Sequence, residues 1–173
     1  MKKSVTLFLA AILCLGLFAG CGKDTSSSGD GSAQMKDGES VQTVVDKIVD
    51  EIGMQMPSDI DDGIYKDLFY IDTAADCEEY YGKMAMTMTS ADNVVAIKAK
   101  PDKKQTVVDG LTKRLEDVRN SFAQYLPDQS EKAQKGQVIE KGDYVFLLIL
   151  GSDVEKFDAE MENAVKIINE AFA

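Results

Sequence analysis

Few side chains in this sequence could do chemistry, and what is missing narrows the field more than what is present. There is no histidine. That removes Ser-His and Cys-His nucleophile pairs, His-ligated zinc and an imidazole proton shuttle. Of the three cysteines, Cys14 lies inside an apolar N-terminal run and Cys21 closes it, which leaves Cys77 without an internal disulfide partner. Its neighbours Asp76, Glu78 and Glu79 would raise a thiol pKa, so Cys77 reads as a quiet, partly buried thiol. Asp59, Asp61 and Asp62 precede Gly63 in a pattern resembling the start of a calcium loop. Counted from Asp59, however, glycine falls fifth and Tyr70 twelfth, where an EF-hand needs glycine sixth and glutamate twelfth; the charges suit a helix start instead. Met84, Met86 and Met88, with Met54 and Met56 nearby in sequence, would offer thioethers to Cu(I). A spacing of two is also what one strand face produces, so the row reads as core packing. No glycine-rich phosphate loop and no G-x-S-x-G elbow occurs. The sequence therefore implies neither cofactor nor metal, and the 30 carboxylates leave a carboxylate-only hydrolase open as an alternative.

The chemistry with a clear address is at Cys21. Lys2 and Lys3 give a positive start, Val5 to Phe18 is apolar apart from Thr6 and Gly16, and small Ala19 and Gly20 stand before the cysteine. The closing stretch Leu17-Phe18-Ala19-Gly20-Cys21 resembles the lipobox of bacterial lipoprotein signal peptides. The resemblance implies that residues 1–20 are removed and that Cys21 is acylated, holding the protein on the extracytoplasmic face of the cell membrane. The apolar run is shorter than the roughly 18 residues a membrane span needs. Gly22 to Glu39 is rich in Gly, Ser, Asp and Lys without periodic apolar residues, so residues 21–39 read as the lipidated cysteine and a spacer. Residues 40–173 remain for one α+β domain.

Charge limits the partners. The whole chain carries −11, and Lys2 and Lys3 are the only charged residues before Cys21, so the part beyond them is more acidic still. Nucleic acid and anionic headgroups would be repelled, and membrane attachment falls to the lipid on Cys21.

The apolar periodicity predicts the elements. Val41, Val44, Val45, Ile48 and Ile52 form one helical stripe ending at Gly53. Residues 80–89 and Val94 to Lys100 alternate, which predicts a hairpin turning at Ser90–Asn93. A long helix follows Pro101, with a capping box from Asp102 to Gln105 and a stripe from Val107 through Leu111, Leu115, Val118 and Phe122 to Leu126. Gln137–Lys141 and Tyr144–Leu150 flank Gly142-Asp143, a two-residue hairpin signal. The second of these strands is apolar on both faces and so needs cover on both sides. Ser152 and Glu155 suggest a second capping box before a terminal helix bearing Phe157, Met161, Val165, Ile168 and Phe172. The expected fold is a single α+β domain, order αββαββα, with a four-stranded antiparallel sheet built from two hairpins and helices packed on it.

From about Met56 to Ala173 the chain is similar to a family of uncharacterised bacterial lipoproteins carrying the domain of unknown function 4358. The likeness rests on Met56-Pro57, Tyr70-Ile71-Asp72, Met88-Thr89-Ser90-Ala91-Asp92, Arg114, Tyr125-Leu126-Pro127 and Gly142-Asp143-Tyr144-Val145. Asn93 stands where the family usually has glutamate. The resemblance implies no activity and no site residue. The function expected from the sequence is a non-catalytic binding or scaffolding module of the cell envelope, with an unidentified envelope protein or ligand as partner. A carboxylate-only envelope hydrolase and an accessory ligand-binding lipoprotein are the alternatives. Asp59, Asp61 and Asp62, in the irregular stretch Pro57 to Asp72, are the expected binding residues, because function concentrates on loops.

Overall fold

The computed structural model describes residues 33–173. Cys14, Cys21, the expected signal peptide and the expected spacer as far as residue 32 lie outside the described residues. In chain order the elements are α1 (Val41–Ile52), β1 (Pro57–Asp59), α2 (Asp62–Leu68), α3 (Thr73–Asp76), β2 (Cys77–Ala85), β3 (Asn93–Ala99), α4 (Lys104–Phe122), α5 (Pro127–Lys135), β4 (Gln137–Lys141), β5 (Tyr144–Ile149) and α6 (Phe157–Glu170). The strands form one antiparallel sheet ordered β1-β2-β3-β5-β4. It has five strands and not the four expected. The additional one, β1, sets Pro57 opposite Ala85 and Asp59 opposite Lys83 at the sheet edge, where a proline without an N–H is tolerated.

Both faces of the sheet are covered, as the two-sided apolar strand requires. Val94, Ala96, Phe146 and Leu148 pack against α1 and α6. Their strand neighbours Val95, Ile97, Val145, Leu147 and Ile149 pack against α2 and α4. The β4–β5 hairpin turns through Gly142-Asp143 with Lys141 opposite Tyr144, as expected, and Gly142 has a φ of 60° that glycine adopts without strain.

Several local expectations fail for definable reasons. Asp102 takes a left-handed φ of 63°, α4 starts at Lys104 without a side-chain cap, and Gln105 Nε2 donates to Asp109 instead. The same helix stops at Phe122, before Leu126, because the chain must turn into Pro127 at the start of α5. Helix α6 begins at Phe157, and the Ser152 backbone N–H donates to Glu160 at 2.7 Å, so Ser152 and Glu155 form no capping box. The methionine row is also divided. Pairing in β2 ends at Met84 and Ala85, and residues 86–92 loop away, leaving Met86 55% and Met88 90% exposed. Only Met84 packs against the core as the row predicts.

At the opposite end of the sheet from that loop, the chain enters the fold. Ala33 lies against Gly142, Met35 bridges Phe172, and Lys36 N–H donates to the Ala171 carbonyl at 2.9 Å. Ser40 and Thr43 then form a reciprocal capping box that starts α1.

Candidate functional site

Gly110 sets the geometry of the site. A Cβ there would come within 2.6 Å of the Phe69 carbonyl, so its absence lets α4 press against the segment following α2. One turn further along α4, the Arg114 guanidinium lies 5.0 Å above the Phe69 ring, and its Nε donates to Asn93 Oδ1 at 3.1 Å. Tyr70, at a left-handed φ of 61°, is held outside this layer. Its hydroxyl donates to Asp117 at 2.6 Å, and Lys113 Nζ sits 4.0 Å from its ring centre. The Tyr70 and Lys113 contacts hold the Asp117 carboxyl below its usual range. Burial depresses the Arg114 pKa, while Asp117 and Tyr70 oppose the shift, and a guanidinium in such a place stays charged.

Arg114 opens onto a pocket of about 290 Å³. Met84, Ala85, Val118, Phe122 and the exposed Met88 and Tyr125 give it apolar walls, and Thr87, Ser90, Asn93 and Ser121 contribute polar edges. Three of its hydroxyls are already engaged: Ser90 donates to Asp92, Ser121 to the Asp117 carbonyl, and Thr87 shares a hydrogen bond with the Thr89 hydroxyl at 2.9 Å. Among the described residues, no carboxylate lies within ion-pair distance of Arg114 and none lines the pocket. Two clefts of about 450 and 400 Å³ are larger, but carboxylates line both beside the cations: Asp158 and Glu162 with Lys135 in the first, Glu39 and Glu170 with Lys36 and Lys47 in the second.

A second cation stands close by. Lys132 of α5 pairs with Asp92 at 2.7 Å, both side chains under 5% exposed, and Asp92 also accepts from Ser90 at 2.7 Å. Gln129 accepts from the Ala91 N–H at 3.0 Å. Together these contacts fasten the end of the 86–92 loop to α5, while Met86 and Met88 stay outside.

The acidic stretch is distributed over the fold. Asp59 accepts from Tyr81 at 2.9 Å and Lys83 at 3.1 Å, and the lysine contact holds its pKa down. Asp61 caps α2 by accepting from Ile64 N–H at 2.8 Å. Asp62 accepts from Tyr80 at 2.8 Å and Thr73 at 3.0 Å. Burial pushes the Cys77 thiol up to about 12, with Asp76 adding to the shift, which makes it a poor nucleophile. Among the described residues no three His, Cys, Asp or Glu side chains converge as a metal site, and no helix is long and apolar enough to cross a membrane.

Sequence reasoning assigned Arg114 no role, yet a signal was present. Val107, Leu111, Arg114 and Val118 follow steps of four, three and four, so the arginine sits on the buried stripe of α4. A charge on an apolar stripe needs either a partner or a purpose.

Fold and site thus define a small α+β domain with a cationic, apolar-walled pocket. Its sequence matches the family described as Domain of unknown function (DUF4358) over residues 50–150, and the chain belongs to that family. No curated protein and no solved structure matches it.

Proposed function

We propose that this chain is a membrane-anchored extracytoplasmic lipoprotein, lipidated at Cys21, whose domain is a non-catalytic binding module with the Arg114 pocket as its ligand site. The observation that carries the binding reading is a half-buried arginine in an apolar-walled pocket, with no carboxylate of the described residues within ion-pair distance of it or in the pocket lining. Ligand sites combine mostly apolar walls with a few placed polar groups, and this pocket has that composition. Binding is favoured over hydrolysis because the pocket lining contains no carboxylate or thiol to act as base or nucleophile. The anchor is supported by the form of the sequence around Cys21. The net charge of −11 would repel anionic surfaces and steer basic ones.

Both halves are testable on the full chain. Intact mass of membrane-extracted protein should begin at Cys21 with a lipid adduct; another first residue, or lipid-free protein in the medium, removes the anchor. Protein labelled with 13C in its methionine methyls and held in lipid nanodiscs should show Met84 and Met88 shifting with members of a mixed library of anionic, neutral and cationic small molecules. Silence at both methyls across the library removes the binding site.

A further inference from the structure

We infer that the Arg114 pocket takes a monocarboxylate carried on a short apolar group, an inference that rests on reading that pocket as a binding site. The orientation of the guanidinium is the first reason. Asn93 occupies Nε, and the Phe69 ring lies beside the planar group, so the edge left for a ligand is the pair of terminal nitrogens. Two parallel N–H donors match the two oxygens of a carboxylate, and such forked pairs are stronger and more directional than a point contact.

Charge balance is the second reason. Arg114 supplies one positive charge, and its acidic neighbour Asp117 is already engaged by Tyr70 and Lys113. A monoanion neutralises the site, whereas a phosphate dianion would bring a surplus negative charge to a protein of net −11. The third reason is size. At about 290 Å³ the pocket is at the small end of ligand sites, so its walls of Met84, Val118, Phe122 and Tyr125 suit one compact side chain and not a long acyl tail. A free short-chain or N-acylated amino acid has this chemistry, and so does the C-terminus of a peptide ending in an apolar residue.

The test uses the methyl-labelled full chain in nanodiscs, with N-acetyl-leucine, its amide, phenyl phosphate, and a leucine-terminated hexapeptide as free acid and as amide. N-acetyl-leucine should shift Met84 and Met88 but leave Met161 unmoved. Its amide should bind at least tenfold more weakly. Arg114→Gln should weaken the acid at least tenfold and Arg114→Lys by less, with an unmoved Met161 signal reporting an intact fold. If the peptide acid binds more tightly than N-acetyl-leucine, the source is a chain terminus; if only the small acid binds, it is a free acid, and either result supports the carboxylate. An amide as tight as the acid, phenyl phosphate tighter than both, or unchanged affinity in Arg114→Gln overturns the carboxylate while leaving the binding site standing. No shift with any probe, after none in the mixed library, overturns both.

Discussion

Lys132 and Arg114 reach into the same end of the molecule, and they meet opposite conditions there. Lys132 is fully enclosed and pairs with Asp92, whose other oxygen is satisfied by Ser90. Arg114 is half-buried, spends one N–H on a neutral amide and faces a pocket. Position alone therefore does not separate a structural charge from a functional one; the state of its counter-charge does. An enclosed pair fixes the chain, while an open cation beside apolar walls can be neutralised by something that arrives.

The largest expected effect breaks the closed side of that contrast. Lys132→Met leaves Asp92 buried without its cation and should lower unfolding stability by about 3–5 kcal/mol, read from urea denaturation. A loss below about 1 kcal/mol would mean that the pair is not closed. On the open side, Arg114→Leu removes one hydrogen bond but also a desolvated charge, and should change stability by no more than about 1 kcal/mol. A loss as large as that of Lys132→Met would make Arg114 structural. Asn93→Asp should convert the open cation into a closed one by placing a carboxylate oxygen where the amide oxygen now accepts from Nε. N-acetyl-leucine affinity should then fall about tenfold, measured at the Met84 and Met88 methyls.

The smallest effect concerns the rim. The folded-state pKa of Asp117 is depressed below 3.8, chiefly by the Tyr70 hydrogen bond. Its contribution is therefore fully present above the unfolded pKa and lost as pH falls through the lower, folded value. The Tyr70 ring resonances should hold steady from pH 7 to about pH 4 and move only below that. Movement centred near pH 6 would show that Asp117 does not hold Tyr70.

How far the sequence discloses this structure depends on how regular each part is. The stripes of α1 and α4 and the two-sided run of β5 are long and periodic, and they predicted helices on both faces of the sheet. β1 has three residues, one a proline and one an aspartate, and it is a strand only because Ala85, Met84 and Lys83 lie opposite. The methionine alternation runs on past Ala85, where the ladder stops but for one bond from the Met86 N–H to the Met56 carbonyl, so periodicity extended the strand beyond its partners. Asp102 and Gln105 have the spacing of a capping box, but a left-handed Asp102 turns away from that role. Arg114 was visible as a charge on an apolar stripe. That Asn93 and Phe69 would orient it, and that no acid would meet it, depended on contacts 21 and 45 residues apart in sequence.

The entry of the chain beside Gly142 gives the domain a top and a bottom. β3 runs from Asn93 at the pocket to Ala99, whose N–H donates to the Asp143 carbonyl beside that entry point. Six strand steps separate the two ends by roughly 20 Å. A lipid on Cys21, as proposed, would hold the molecule by its foot, and the twelve steps from Cys21 to Ala33 allow a stand-off of at most about 40 Å. The pocket would then open outward, toward whatever diffuses in from outside the bilayer. A molecule dissolved in the acyl layer would reach it only when the domain turns over on its tether, so the attachment point would bias the direction of arrival before any contact with Arg114.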